Sequence, residues 1–148
     1  MDVHQHVQQL MEQMRAGFKS KGVDVELPPN SIKTNKPYYI HFDEGKSLGA
    51  EFEFNEAFTN PLKMLQGGFL CALLDDVFGP LTYMAAKGPA VTIQMNTTFI
   101  RPFTAKDKKA VVIARVVSQG KSLLVLEAEV KSLDGKLIAT ATNQSFIM

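Results

Sequence analysis

The residues able to do chemistry are concentrated in one stretch, Asn60-Pro61-Leu62-Lys63-Met64-Leu65-Gln66-Gly67-Gly68, with Asp75 nine residues after Gln66. Taken singly, Asn60-Pro61 reads as an ordinary turn and Gly67-Gly68 as a tight entry into a helix. Asp75 is harder to dismiss, because it lies in an otherwise apolar stretch. A buried carboxylate without partners costs several kcal/mol, so it needs a polar partner, a wet cleft or a function. Asp76 points about 100° away around the helix and is expected to be the exposed member of the pair. Glycines let a ligand approach the backbone closely. The N–H groups of a helix's first turn have no partner within the helix, and with the positive end of the dipole they can bind a developing oxyanion. Asp75 can then serve as nucleophile or as general base on water. Along one helix, however, Gly67 and Asp75 are eight residues apart, roughly 12 Å, too far to meet at one carbonyl. An antiparallel copy of the same helix across a two-fold axis removes the difficulty and creates two equivalent composite sites.

The elements that must position these residues are legible as patterns. Val3, Val7, Leu10, Met11, Met14 and Phe18 recur at helical spacing, so an amphipathic helix is expected over 3–20, covering the edge or end of a sheet. Residues 23–36, with Pro28, Pro29, Asn30 and Asn35 and no periodicity, read as loop. Strands are expected over 38–43 and 49–58, the latter alternating Ala50, Phe52 and Phe54 with Glu51, Glu53 and Asn55. A loop follows over 59–65, then a long helix over 66–86 that is apolar on nearly all sides and therefore buried. Gly79-Pro80 predicts a kink or restart within it. Four strands complete the chain as an expected meander. The first, 91–99, alternates Val91, Ile93, Met95, Thr97 and Phe99 with Thr92, Gln94, Asn96 and Thr98. The others span 109–118, 124–131 and 137–147, with hairpin signals at Gln119-Gly120 and Asp134-Gly135. The long helix cannot be covered on every side by one curved sheet, so a second copy is the economical cover.

Composition narrows the function classes. The 148 residues are 45 % hydrophobic and 21 % charged, which suits one domain, 1–148, with 1–35 as an appended helix and loop. One cysteine cannot form an internal disulfide, and Cys71 between Leu70 and Ala72 reads as a small core residue. A net charge of +1 is no footprint for nucleic acid. The longest apolar run, Phe69–Leu74, predicts no membrane span, and the polar first 25 residues predict no secretion signal, so a cytoplasmic location is expected. No spacing of His, Cys and carboxylates indicates a metal site.

The Asn60…Gln66-Gly67-Gly68…Asp75 spacing resembles the hotdog-fold acyl-CoA thioesterases of the PaaI type. So do the strand Val91-Thr92-Ile93-Gln94-Met95-Asn96, the run Phe99-Ile100-Arg101-Pro102 and the hairpin Asp134-Gly135-Lys136-Leu137-Ile138-Ala139. The likeness covers about residues 45–148. It implies an α+β hotdog fold, a curved antiparallel sheet wrapped round the central long helix, preceded here by the N-terminal amphipathic helix. It also implies hydrolysis of an acyl-CoA thioester by a homo-oligomer, a dimer or a dimer of dimers, with no cofactor beyond the coenzyme A of the substrate. Carried onto this chain, the Gly67 N–H binds the oxyanion, Asp75 is nucleophile or base, and Asn60 positions water or the thioester. Thr92 helps to hold the water, while Gly68, Asn96 and Arg101 contact substrate. Gln66 stands where the family usually has His; it can hydrogen-bond but cannot titrate. Lys106, Lys108, Lys109 and Lys121 are subsidiary candidates for coenzyme A phosphates beside Arg101. Two other readings use the same fold: a non-catalytic acyl-CoA or fatty-acid binding module, and a dehydratase of 3-hydroxyacyl thioesters, against which the missing His at 66 argues.

Overall fold

The computed structural model describes residues 1–148. Six strands form one antiparallel sheet in the order β1-β2-β4-β5-β6-β3: β1 Tyr38–Asp43, β2 Ser47–Glu53, β3 Ala90–Phe99, β4 Lys109–Gln119, β5 Leu123–Ser132 and β6 Leu137–Ile147. The long helix α3, Gly67–Ala86, lies across it against β2, β3, β4, β5 and β6. This is the expected α+β hotdog architecture. Only β4, β5 and β6 form a meander. β3 is not beside β4; it pairs with β6 at the far edge of the sheet, and the chain crosses over to bring β4 beside β2.

The core is built from the inward positions of the strands and nearly the whole of α3. Leu124, Leu126, Ala128 and Val130 of β5 face inward as their alternation predicts, as do Ala50 and Phe52 of β2. They close around Leu70, Leu73, Leu74, Val77, Phe78 and Leu81 of α3. The helix α1, Val3–Ser20, is capped by Asp2, whose side chain accepts the Gln5 N–H at 2.8 Å. It buries Val7, Met11 and Phe18 and covers the edge strand β1, as its apolar stripe predicts. His4 stacks on Tyr38 with ring centroids 4.6 Å apart, and Phe18 meets Tyr83 of α3 edge-on.

Three local departures from the sequence reading have physical causes. The segment expected to be loop contains a five-residue helix α2, Ser31–Asn35. Too short to stand alone, it is held by Ser31 Oγ and Asn35 Nδ2, which donate to the two carboxylate oxygens of Asp76, each at 2.6 Å. Helix α3 runs through Pro80 without a restart. The proline removes one backbone bond, but the surrounding sheet and the Thr82 hydroxyl, which donates to the Gly79 carbonyl at 2.7 Å, keep the helix continuous. Strand β2 ends at Glu53, and Asn55, accepting the Ala57 N–H at 3.0 Å, starts a short 3₁₀ turn over Glu56–Phe58.

By length and composition α3 is apolar enough to cross a membrane, but 56 % of that stretch is buried within the fold. Its uncovered side is the row Gly68, Ala72, Asp75 and Gly79, spaced as one helical face and lined with small residues. Beside it runs the outer edge of β3, where Val91 and Ile93 are about half exposed.

Candidate active site at the entry of the central helix

The loop before α3 is fixed by its own backbone. Leu65 N donates to the Phe103 carbonyl and Gln66 N to the Phe58 carbonyl, both at 2.9 Å. Asn60 organises the turn: its side-chain oxygen accepts the Leu62 N–H at 3.0 Å and the Met64 N–H at 3.1 Å. That makes Asn60 first of all the residue that shapes the loop, while its amide nitrogen donates to nothing in the chain.

At the helix entry the Gln66 carbonyl takes the N–H groups of Phe69 and Leu70, at 3.0 and 3.1 Å. The N–H groups of Gly67 and Gly68 are left without any acceptor in the chain. The Gln66 side chain makes no capping bond and points to solvent. Gly67 is glycine for a steric reason: a Cβ there would lie 3.0 Å from Cζ of Phe99, whose ring rests against it. At Gly68 a Cβ would meet nothing within 4 Å. A cleft of about 340 Å³ opens here, lined by Asn60, Gly67, Leu70, Phe99, Arg101 and Phe103 among others. The structure thus brings Asn60, Gly67 and Arg101 to one cavity. The Arg101 guanidinium is already engaged by Asp107 at 2.9 Å, inside a capping box formed by Thr104 and Asp107. Burial alone would raise the Asp107 carboxyl, but the Thr104 N–H and then the Arg101 guanidinium outweigh it and hold it below its ordinary range. Of the lysines, Lys109 pairs with Glu51 at 3.1 Å, whereas Lys106, Lys108 and Lys121 are exposed.

Further along α3 the two aspartates exchange the places expected of them. Asp76 is the buried one, 5 % exposed, and is spent on anchoring α2. Asp75 faces outward on the uncovered side of the helix. The order is inverted because the Asp76 side of α3 is roofed by α2, whereas no segment of the chain roofs the Asp75 side. Partial desolvation raises the Asp75 carboxyl above its ordinary range, and the charge of Asp76 adds to the rise. The hydroxyl of Thr92, donating to Oδ1 in a long contact of 3.5 Å, opposes it. Behind Asp76, Tyr39 is 1 % exposed and its hydroxyl has no partner. Burial, with Asp76 adding to it, pushes this phenol far above its ordinary range.

A β-bulge decides which residues of β3 join Asp75. The register slips between Thr92 and Gln94, so two residues of β3 share one place on β6 and the alternation changes phase. Thr92 therefore shares the helix-facing side with Met95, Thr97 and Phe99, and Thr97 meets the Cys71 thiol at 3.5 Å. Asn96, expected on the face of Thr92, pairs with the exposed Thr142 and lies on the outer face of the sheet. There it lines a groove with Arg115, Glu127 and Glu129, away from Asp75. Two polar residues escaped the sequence reading. Asn143 and Ser145 of β6 are 0 % and 1 % exposed and stand behind Thr92. Their signal was present: they continue the inward phase of Ala139 and Ala141, where an apolar residue is the norm.

Comparison with known proteins places the sequence and the fold in a family. Residues 62–139 match the model of the thioesterase superfamily, a span that takes in the helix entry, Asp75, β3 and the start of β6. A protein of Saccharolobus solfataricus named as an esterase is 28 % identical over 116 residues, covering 74 % of this chain and 76 % of its own. The crystal structure of a phenylacetic acid degradation-related protein of Ralstonia eutropha JMP134 is 29 % identical. It superposes with a TM-score of 0.73 over 90 % of this chain and 99 % of that one. The PaaI protein of the Escherichia coli phenylacetic acid degradation operon is 20 % identical with a TM-score of 0.75, and covers 96 % of both chains. On its sequence match the chain belongs to the thioesterase superfamily, and it shares the hotdog fold of the PaaI protein.

Proposed function

We propose that this protein hydrolyses an acyl-CoA thioester to the free acid and coenzyme A, at a site shared between two copies of the chain. The observation that carries the reading is the pair of unpaired N–H groups at Gly67 and Gly68, at the mouth of a cleft on the helix that also bears Asp75. Those donors suit the oxyanion formed when water adds to a thioester carbonyl. Asp75 takes the proton from that water as hydroxide adds to the carbonyl carbon. The tetrahedral intermediate then collapses, the C–S bond breaks, and the coenzyme A thiolate recovers the proton from Asp75. The raised pKa of Asp75 suits a base that must hold and then release a proton.

Sharing follows from distance. Within one chain the two groups are eight residues apart on one helix, roughly 12 Å. The small-residue face of α3 and the open edge of β3 lie side by side, and a two-fold partner docking there would bring its own Gly67 towards Asp75. Gln66, exposed and free of capping duty, is placed to hydrogen-bond an incoming carbonyl or loop without titrating.

Thiol release from a panel of acyl-CoAs, measured with wild type, Asp75→Asn and Gln66→His, tests the reading. Turnover by wild type that Asp75→Asn loses while still binding acyl-CoA is the expected result. Binding without turnover above Asp75→Asn would make the protein a binding module, and hydration of an enoyl-CoA would make it a dehydratase.

A further inference from the structure

We propose that Asn143 is a positioning residue: through Thr92 it fixes the direction of a hydrogen bond into Asp75, and this rests on the hydrolase reading above. Three side chains form a one-way line from the sheet interior to the carboxylate. Ser145 Oγ donates to Asn143 Oδ1 at 2.7 Å. With its oxygen so occupied, the amide turns its nitrogen outward, and Nδ2 donates to Thr92 Oγ1 at 3.3 Å. A threonine hydroxyl carries a single proton. With a lone pair engaged by Asn143, that proton is left to the remaining neighbour, Asp75 Oδ1, at 3.5 Å. Every donor in the line points the same way, and it ends on a group that, ionised, only accepts. Oδ2 of Asp75 makes no hydrogen bond within the chain and stays open to water.

The cost of the arrangement argues for a purpose. Asn143 and Ser145 are enclosed in an inward row that also holds Ala139, Ala141 and Ile147. Apolar residues would fill that row without the desolvation that a buried amide and hydroxyl carry. The bulge at Ile93 has the same consequence, because without the change of phase Thr92 would face away from α3. Strand β6 and the bulge of β3 together deliver one oriented hydroxyl to Asp75. Its donation favours the ionised carboxylate and opposes the two influences that work against it, desolvation and Asp76.

The test compares the pH dependence of acyl-CoA hydrolysis in wild type, Asn143→Leu, Thr92→Val and the double variant. Asn143→Leu and Thr92→Val are each expected to move the acid limb of kcat to higher pH and to lower kcat about three- to tenfold with KM little changed. The double variant should be no worse than Thr92→Val, because Asn143 acts only through Thr92. Thr92→Ser, which keeps the hydroxyl, should restore the wild-type limb. An unmoved acid limb in Asn143→Leu, or additive losses in the double variant, overturns the proposal. Should Asn143→Leu not fold, Ser145→Ala is read in its place: it frees the amide to turn over, so the same upward movement supports the proposal and an unmoved limb overturns it. Asp75-dependent turnover with an unmoved limb sinks only the positioning role. Turnover that survives Asp75→Asn removes Asp75 as the base and the positioning role with it, whereas acyl-CoA binding with no turnover in wild type sinks the hydrolase reading itself.

Discussion

Asp75 and Asp76 divide two duties that the sequence presents as one acidic dipeptide. Asp76 is an anchor; Asp75 faces outward with a raised pKa. A carboxyl raised in the folded state penalises folding once ionised, so the stability of its protonated form is lost as pH rises through the folded value. Asp75→Asn should therefore raise Tm at neutral pH while abolishing thiol release, a pairing that a purely structural aspartate would not give. Activity should fall as pH drops through the raised Asp75 pKa, which lies above the ordinary 3.8. Removing the Asp76 charge takes away one of the two raising influences. Asp76→Asn should move the acid limb of kcat/KM to lower pH even as it loosens α2, and a limb that moves upward would contradict the assignment. Gly67 makes a steric prediction of its own. Gly67→Ala presses on the Phe99 ring, which is about half exposed and can yield. Thiol release should drop about tenfold or more while stability changes by no more than about 1 kcal/mol. Phe99→Leu in the same chain should recover part of the rate; equal rates in both variants would show that Phe99 does not shape the site.

The elements divide into those that periodicity could reveal and those that only tertiary contact creates. Helix α1, helix α3 and the strands were legible because each shows a repeated apolar spacing, of which the inward row Leu124, Leu126, Ala128 and Val130 is the plainest example. Helix α2 was not legible, because its five residues carry no period and owe their conformation to a carboxylate 41 to 45 positions downstream. The bulge at Ile93 was equally hidden: strict alternation continues in the sequence while the register slips in the sheet. It alone accounts for expecting Asn96 at the site. The places of Asn60, Gly67 and Asp75 as candidates were legible because glycines and acids stand out in an apolar stretch, and Asn60 and Gly67 do line one cleft. Asn143 and Ser145 were not legible as inward residues, because Leu137–Ile147 is recognisable as a strand by type while its inward phase emerges only from the sheet. Strand β1 carries a test of the contact behind Asp76. The Tyr39 hydroxyl is buried without a partner, and an unsatisfied buried donor costs about 1–3 kcal/mol. Tyr39→Phe should thus leave stability unchanged or increase it by about 1 kcal/mol in urea unfolding. A loss of several kcal/mol would mean that the hydroxyl has a partner after all, most simply a water bridging to Asp76.

At the scale of the whole molecule the question is whether one chain holds a complete site. The continuous α3 keeps Gly67 and Asp75 a fixed distance apart, and the breadth of a thioester carbonyl and its attacking water cannot span roughly 12 Å. Two chains with different lesions answer it. Asp75→Asn keeps the helix-entry donors but loses the base; Gly67→Val keeps the base but fills the donor site against Phe99. Each variant alone should be inactive. If the site is composite, a mixed dimer carries one site with both lesions and one with neither. Unfolding and refolding the two variants together in equal amounts makes half of the dimers mixed, each with one sound site of two, so about a quarter of wild-type thiol release should return. If each chain works alone, every site retains one lesion and mixing restores nothing. The same experiment probes the surface where the copies meet. Val91 and Ile93 line the open edge of β3, so Ile93→Asp, placing a charge on that edge, should yield monomers in sedimentation and should block recovery in the mixture. Ile93→Asp chains that still form dimers and still recover activity in the mixture would place the surface where the copies meet somewhere other than along α3 and β3.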